Sequence, residues 1–357
     1  MTLENTNGKG FSEMLIGVLN NGALSLMISI GHKTGLFDAL SKFSSPETSE
    51  HIAKTAKLDE RYVKEWLACM VVGKLIEYDS SNQKYYLPLE HSEYLARSAA
   101  LDNLAVFFQY ISLLGNVEDK IVECFKNGGG IPHSEYTRLQ LVQAEETSRI
   151  FDSRLLADII PLVKGLTSQL KSGISVLDVG CGRGHALNLM AEAFPNSKFY
   201  GCDTSKEGIE AAREESRQKG LSNVFFEVKD ASSFDEPPKF EFVTAFGSIH
   251  GQSKPTKVLQ AIHKSLKNNG IFLMQDIASS SNLQENRDNL MSPTLYTFST
   301  MHGMAVSLAF DDGEGLGAMW GKQKAEQKLR EAGFDENIEV HEVSDDILNY
   351  YYVARKA

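Results

Sequence analysis

The feature that most constrains this chain is a short apolar run that passes directly into a glycine-rich turn. The run is Val176-Leu-Asp-Val-Gly-Cys-Gly-Arg-Gly184, and helix-forming residues with apolar side chains at helical spacing follow it from His185 to Ala193. This pattern predicts a strand, a tight loop containing Gly180, Gly182 and Gly184, and a helix. Such a loop lets the backbone approach a nucleotide-like ligand closely, although a glycine turn can also serve packing alone.

The next predicted strand, Lys198-Phe-Tyr-Gly-Cys-Asp203, ends in an acid about 20 residues beyond the glycines, where a carboxylate can accept both ribose hydroxyls. Two classes of enzyme fit such a pair of strands: nicotinamide-dependent oxidoreductases and S-adenosylmethionine-dependent methyltransferases. The dinucleotide fingerprint requires G-x-G-x-x-G with a pyrophosphate on the helix N-terminus, whereas the glycines here alternate with single residues. The loop therefore suits a ligand without phosphates.

Through these residues the chain resembles the class I S-adenosylmethionine-dependent methyltransferases, over roughly residues 166–357. The resemblance implies that Asp178 to Gly184 binds the methionine part of S-adenosylmethionine and that Asp203 binds its ribose. It also implies that Asp230, which ends a third strand and is followed by Ala231, meets the adenine amino group.

The segment Phe240 to His250 looks like the fourth strand of this family and the loop that borders the transferred methyl, with Phe246 as a further cofactor contact. Other segments are similar to a narrower group, two-domain methyltransferases with an N-terminal winged-helix region. They are Met274 to Ile277, Leu295 to His302 and Gly315 to Gly321. In this group we expect Asp-Gln after the first histidine and Cys after the second. Gly251 and Gly303 stand there instead, so the group's substrates do not transfer to this chain.

Composition argues against several kinds of partner. The 357 residues suffice for two domains, and 36 Lys and Arg against 47 Asp and Glu give a formal net charge of -11, which disfavours nucleic acid. The apolar segment Met14 to Ile30, interrupted by Asn20 and Asn21, is predicted to be too polar to span a bilayer. The N-terminus lacks the parts of a signal peptide, and the four cysteines lack C-x-x-C spacing. We expect a cytoplasmic protein with reduced thiols and no membrane partner.

Residues 11–165 are predicted to form a mainly helical winged-helix domain, preceded by a polar, disordered segment at 1–10. Apolar residues recur at helical spacing from Phe11 to about Leu40, which indicates helices for a core or a dimer interface. A short helix from Pro46 and one capped by Asp59 precede a hairpin, the order of a winged helix. The second helix balances its charges, so dimerisation and substrate covering are favoured over DNA recognition. We therefore predict a homodimer.

Two more helices are predicted in the same half of the chain. Leu101 to Phe125 is strongly apolar and is predicted to be a buried or interface helix, and Glu145 to Leu166 is predicted to bridge into the second domain, with Pro161 ending or kinking it. Between them, Tyr136 follows a glycine break and is expected to pack, although it could also close over a ligand.

Residues 166–357 are predicted to form an α/β catalytic domain with a Rossmann-like sheet. Strands are expected at 174–179, 198–202, 223–228, 240–246 and 270–276, and helices at 185–194, 206–219, 254–267 and 320–332. This alternation specifies a parallel sheet with helices on both faces, and a closing hairpin at 338–343 and 349–354 makes the last strand antiparallel. The long connection 277–319 lies near the carboxyl ends of the strands, where substrate contacts are expected.

Methyl transfer from a sulfonium is an in-line displacement that requires a positioned nucleophile. A hydroxyl acceptor also needs a base, whereas a thiol is already partly ionised at neutral pH. His250, His302 and Asp276 are the candidates for base or substrate-orienting roles. No metal site is expected, because the acidic run Asp311 to Glu314 lacks the ligand spacing of a calcium loop. The prediction is methyl transfer to a small-molecule thiol or hydroxyl. A nicotinamide-dependent oxidoreductase and a winged-helix ligand-sensing regulator remain as alternatives.

Overall fold

The structure is a computed structural model that describes residues 8–234, 237–335, 337–344 and 346–357. The chain forms two compact units, the first ending at Gly115 and the second running from Asn116 to Ala357. Most of the segment predicted to be polar and disordered, residues 1–7, lies outside the described residues, while residues 8–10 begin the first helix.

The first unit consists of helices and one short hairpin. Its elements are α1 (Gly8–Thr34), α2 (Leu36–Leu40), α3 (Ser49–Ala56), α4 (Glu60–Val72), β1 (Glu77–Asp79), β2 (Lys84–Tyr86), α5 (Leu89–Leu95), a 3-10 helix (Arg97–Asp102) and α6 (Gln109–Gly115). Thr48 caps α3 by accepting from the His51 N–H, and Asp59 caps α4 as predicted by accepting from the Tyr62 N–H. The order of α3, α4 and the hairpin is that of a winged helix.

The core of the first unit forms around aromatic side chains of α2 and α4. The Phe37 and Trp66 rings pack edge to face with centroids 5.2 Å apart, and the Trp66 indole N–H donates to the Met27 carbonyl at 2.8 Å. Helix α1 contributes to this core only in its second half, because its first half leaves many apolar side chains exposed. By length and composition alone, α1 is apolar enough to cross a membrane, contrary to the effect expected of Asn20 and Asn21. One such helix is weak evidence, because a buried core helix and an N-terminal signal sequence pass the same test, and the apolar window of α1 is 17% buried.

The single helix predicted over Leu101 to Phe125 is wrong. A 3-10 helix ends at Asp102, α6 ends at Gly115, and α7 (Glu118–Asn127) begins in the second unit. The Asn103 side chain accepts the Ala105 N–H at 2.8 Å and so forms a local turn that interrupts helical pairing.

The second unit continues with α7, a 3-10 turn (His133–Glu135), α8 (Leu139–Ile150), a π-helix (Phe151–Ile159), a 3-10 turn (Ile160–Leu162) and α9 (Leu166–Ser172). Phe151, Leu155 and Ile159 lie in the same buried cluster as Val176 and Phe199 of the sheet. Residues 116–165 therefore belong to the second unit by packing, although the predicted division at 165 assigns them to the N-terminal domain. The predicted bridging helix ends near Pro161, as expected.

The rest of the second unit alternates strands and helices. They are β3 (Ser175–Val179), α10 (His185–Ala193), β4 (Lys198–Asp203), α11 (Lys206–Gln218), β5 (Val224–Val228), β6 (Phe240–Phe246), α12 (Pro255–Ser265), β7 (Leu266–Ile277), α13 (Ser292–Phe298), a π-helix (Ser299–Gly303), α14 (Met304–Ser307), α15 (Gly321–Glu331), β8 (Glu339–His341) and β9 (Asn349–Arg355). In the described residues these strands form one seven-stranded sheet in the order β5-β4-β3-β6-β7-β9-β8.

Strands β3 to β7 are parallel, and β9 is antiparallel to both β7 and β8. The Rossmann-like sheet with an antiparallel last strand is thus confirmed. Because β3, β4, β6 and β7 end at one edge of the sheet, the residues that follow them meet there. Gly180, Asp203, Asp230, His250 and Asp276 of the predicted site follow or end strands at this edge.

Candidate functional site

The glycine loop leaves β3 in a backbone conformation that side chains disfavour. Gly182 has φ +54° and Gly184 has φ +73°. A β-carbon at Gly184 would lie 2.6 Å from Ala212 Cβ and from a ring carbon of Phe226, so Gly184 serves the packing of the loop against its neighbours. A β-carbon at Gly182 would meet nothing within 4 Å in the described part of the chain. The loop therefore presents open space at Gly182, where a bound ligand can approach the backbone.

Asp203, at the end of β4, holds this loop in place. Its Oδ2 accepts the Gly182 N–H at 2.9 Å and its Oδ1 accepts the Ser205 N–H at 2.8 Å. A carboxylate oxygen can accept two hydrogen bonds, so each oxygen still has one acceptor position for a ribose hydroxyl. The Ser205 hydroxyl in turn donates to Gln140 Oε1 at 2.8 Å, which ties α8 to the same corner. The sequence predicted Asp203 as a ribose ligand but not its hydrogen bond to the Gly182 N–H of the loop.

Asp178, the acid of the predicted methionine-binding segment, lies near the end of β3 opposite Thr244 of β6 and is only 2% exposed. The Thr244 hydroxyl donates to its Oδ1 at 2.8 Å. Burial raises the pKa of Asp178 to about 7, against the lowering effect of the Thr244 hydrogen bond and with a further rise from the nearby Asp203 charge. The hydrogen bond between Asp178 and Thr244 therefore joins β3 to β6 just before the glycine loop. Gly180, at the start of that loop, packs against Ser248.

The predicted adenine-binding residues follow β5. Asp230 Oδ1 accepts the Ser232 N–H at 2.8 Å and so caps a one-turn helix that begins at the buried Ala231. Phe246, at the end of β6, packs its ring against Phe151 of the π-helix with centroids 5.0 Å apart. Together with the glycine loop and Asp203, these residues border the same edge of the sheet.

His250 and Asp276 form a hydrogen-bonded pair that joins the loop after β6 to the end of β7. His250 Nδ1 and Asp276 Oδ1 are 2.8 Å apart, and the side chains are 13% and 0% exposed. The same Oδ1 accepts the Ile277 N–H at 2.8 Å and the Trp320 indole N–H at 3.1 Å. Burial disfavours protonation of His250, but the Asp276 charge and hydrogen bond outweigh it and raise the pKa of the imidazole.

His302, the other predicted candidate, lies in the π-helix Ser299–Gly303 near His250. Its ring packs edge to face against Tyr136, with centroids 4.9 Å apart, and the Tyr136 hydroxyl donates to the Met301 carbonyl at 2.6 Å. Burial, followed by the neighbouring His133 and His250, lowers the pKa of His302 to about 3. The two histidines are thus close, but the pKa of His250 is raised and that of His302 is lowered. Tyr136 was predicted to pack, and the structure places it against a site residue.

Residues outside the predicted set complete this edge. They are Thr244 on Asp178, Trp320 on Asp276, and Gln140 and Ser205 beside Asp203. Thr244 and Trp320 lie within segments singled out by sequence, but their contacts, like that between Ser205 and Gln140, join residues far apart in the chain and leave no local pattern. Among the described residues no group of three or more His, Cys, Asp or Glu is arranged to hold a metal ion.

Two family models match separate parts of the chain. One, described as an Rv2258c-like winged HTH domain, matches residues 22–97, and the other, described as a methyltransferase domain, matches residues 170–333. Among curated proteins, the uncharacterized methyltransferase YcgJ of Bacillus subtilis is 32% identical over 113 residues, which is 31% of this chain and 43% of that protein. The chain spans about half or less of the length of the first curated relatives that it matches.

Solved structures match the chain over nearly its full length. A putative O-methyltransferase from Nostoc punctiforme has a TM-score of 0.73 at 18% identity and covers 99% of this chain and 100% of its own. Human N-acetylserotonin methyltransferase, solved in complex with SAM, has a TM-score of 0.71 at 14% identity and covers 100% of both chains. At these identities the likeness shows the fold.

Proposed function

Because the chain belongs to the class I S-adenosylmethionine-dependent methyltransferases with an N-terminal winged-helix domain, we propose that it methylates a hydroxyl group of a small organic acceptor. The observation that carries this choice is the His250–Asp276 pair. A hydroxyl has to lose its proton during transfer and needs a base within hydrogen-bonding reach, whereas a thiol at neutral pH is already partly ionised. A buried histidine oriented by a buried carboxylate is suited to the first of these acceptors.

The hydrogen bond to Asp276 selects the tautomer of His250. Because Asp276 Oδ1 accepts from Nδ1, the neutral imidazole carries its proton on Nδ1 and leaves Nε2 as the acceptor atom. The Ile277 and Trp320 N–H groups hold the carboxylate oxygen from two other directions, so the histidine has a fixed partner. Nε2 would take the proton of the acceptor hydroxyl, and the Asp276 charge would stabilise the imidazolium that forms.

The residues around the glycine loop fit S-adenosylmethionine. The open space at Gly182 admits a ligand against the backbone, Asp203 has free acceptor positions for ribose, and Asp230 with Ala231 would face the adenine. When bound, the cofactor supplies an electrophilic methyl group on a sulfonium. The chain's own part is to hold the acceptor oxygen in line with that methyl and to exclude water, and orientation of this kind provides much of the rate.

The proposal is tested by a screen of phenols, alcohols, thiols and amines for release of S-adenosylhomocysteine, with the methylated product identified by mass spectrometry. We expect oxygen-methylated products. Exclusive methylation of sulfur or nitrogen would contradict the hydroxyl assignment. Tight NAD binding, without binding of S-adenosylhomocysteine, would support the oxidoreductase alternative.

Asp203→Ala is expected to weaken S-adenosylmethionine binding by at least about tenfold, because hydrogen bonds to a charged group contribute about 1.5–3 kcal/mol each. Calorimetry measures the effect. The variant also loses the acceptors of the Gly182 and Ser205 N–H groups, so Asp203→Asn serves as the control, since its amide oxygen can keep the bond from Gly182 although its NH2 group cannot accept from Ser205. We expect an intermediate loss for Asp203→Asn. Unchanged affinity in a folded Asp203→Ala would refute the ribose role.

We also propose that the chain forms a homodimer through α1. Apolar side chains with 44–73% exposure cover much of this helix, including Leu15, Val18, Leu19 and Leu26. A surface of this kind is usually covered by a partner, and a second copy is the simplest one. Light scattering at micromolar concentration should show a dimer, and Leu19→Glu should shift it toward monomer. Asn20→Glu, an adjacent exposed position on another side of the helix, is the control. A monomeric wild-type chain would contradict the proposal.

A further inference from the structure

A second histidine lies beside His250. His302 Nε2 is buried and, within the described part of the chain, has no hydrogen-bond partner. The next residue, Gly303, backs the His250 ring, because a β-carbon at Gly303 would lie 3.4 Å from His250 Cδ2. The two histidines are therefore neighbours, and the buried Nε2 of His302 has no hydrogen-bond partner among the described residues.

The orientation of His302 is fixed by a segment that crosses it. The segment, residues 131–136, follows the glycine break, and its Ile131 N–H donates to the Ala305 carbonyl at 2.9 Å. At its other end the Tyr136 hydroxyl donates to the Met301 carbonyl at 2.6 Å, on the residue before His302. The Tyr136 ring then meets the His302 ring at an interplanar angle of 85°. A ring held in this way presents Nε2 in a defined direction.

His302 and His250 differ in the direction of their pKa shifts, which suits them to different roles. With a pKa lowered to about 3, His302 stays neutral at every pH near neutrality and is a poor proton acceptor, whereas the pKa of His250 is raised. A neutral imidazole nitrogen can still donate or accept one hydrogen bond. A buried polar atom without a partner is costly, and a role in catalysis or binding is one explanation for such an atom.

We propose that His302 Nε2 hydrogen-bonds a second oxygen-bearing group of the acceptor while His250 holds the hydroxyl that is methylated. This inference rests on the proposed hydroxyl methylation and narrows its substrate class to acceptors with two nearby oxygen groups. The Tyr136 ring beside His302 adds an apolar face against which a flat acceptor can pack. His302 is then a specificity-determining residue and not a second base.

The test compares catechol, which has two neighbouring hydroxyls, with phenol, which has one. Calorimetry with the full chain saturated with S-adenosylhomocysteine measures binding, and S-adenosylhomocysteine release measures turnover. Wild type should bind catechol about tenfold more tightly than phenol, the scale of one good hydrogen bond. His302→Leu should bring this ratio close to one, and His302→Asn should retain part of it. His263→Leu, the same change at a histidine on α12 that packs against Phe334, is the control and should leave the ratio unchanged.

Equal affinity of wild type for the two probes, or a preference that survives in His302→Leu, overturns the inference. The pH dependence of turnover gives a second criterion. If His250 is the base, turnover rises with pH as its imidazole loses a proton, and this rise should remain in His302→Leu. The two proposals fail separately. Catechol preference without methylation of oxygen would contradict the proposed function alone, and oxygen methylation without catechol preference would contradict the role of His302 alone.

Discussion

His250→Ala should reduce turnover by about 100-fold or more, the usual scale for loss of a general base. The affinity for S-adenosylmethionine should change little, because the imidazole is hydrogen-bonded to Asp276 and not, in the described part of the chain, to the loop, Asp203 or Asp230 that would hold the cofactor. Single-turnover kinetics and calorimetry separate the two effects. Asp276→Asn should also slow the reaction, since an amide can donate to Nδ1 and so favour the wrong tautomer, and it removes the charge that stabilises the imidazolium.

The dependence of turnover on pH tests whether His250 is the base. The neutral form of His250 is the active one, so turnover should rise with pH as the imidazole loses its proton. Because Asp276 raises the pKa of His250, this rise should be centred above the ordinary histidine value of about 6.5. In His250→Ala the acid limb should disappear. A thiol acceptor would behave differently, since the loss would be smaller and would shrink as pH approaches the thiol pKa.

His302→Ala is the matched comparison for the role of base. It should retain the acid limb of the pH profile and lower the catalytic efficiency through weaker acceptor binding. Full activity of both histidine variants at every pH would remove both from the chemistry and leave orientation by the site as the whole mechanism.

The sheet could be predicted because its signals are local. Each strand is a short apolar run, each turn contains glycine or an acid at the strand end, and the helices between them are amphipathic, so β3 to β6 begin and end within a residue or two of the predicted bounds. The strand β7 begins earlier than predicted, at Leu266, because backbone pairing with Phe240 of β6 extends it. The family resemblance then located the acids at the strand ends.

The side-chain contacts within the candidate site could not be predicted from local sequence. His250 and Asp276 were each proposed, but their hydrogen bond joins residues 26 positions apart in the chain. The contact between Tyr136 and Met301 spans 165 positions. Such contacts depend on the register of parallel strands and on how a long connection folds back, and neither produces a periodic pattern. The same limit explains the π-helix Phe151–Ile159, whose side chains Phe151, Leu155 and Ile159 lie in the same buried cluster as strands of the second unit.

Gly182→Val should abolish S-adenosylmethionine binding while leaving the protein folded. Gly182 has φ +54°, and the position where a β-carbon would stand has no protein atom within 4 Å in the described residues. A valine side chain would fill that open space, which is where the loop admits the ligand. It also adds strain, because a side chain at positive φ costs about 1–2 kcal/mol. Calorimetry with S-adenosylhomocysteine should detect no binding.

The backbone strain in Gly182→Val has to be separated from the filling of the ligand space, and Gly220 offers a matched control. It lies in the turn after α11, before β5, has φ +66°, and likewise has no described atom within 4 Å of a β-carbon. Gly220→Val should lower the melting temperature of the ligand-free protein by a similar amount, because the backbone strain is alike, yet leave binding intact, because the turn lies at the opposite end of β5 from Asp230. Loss of binding in both variants would assign the effect to general destabilisation. Loss in Gly182→Val alone would assign it to the occupied space, and with it the position of the ligand against the loop.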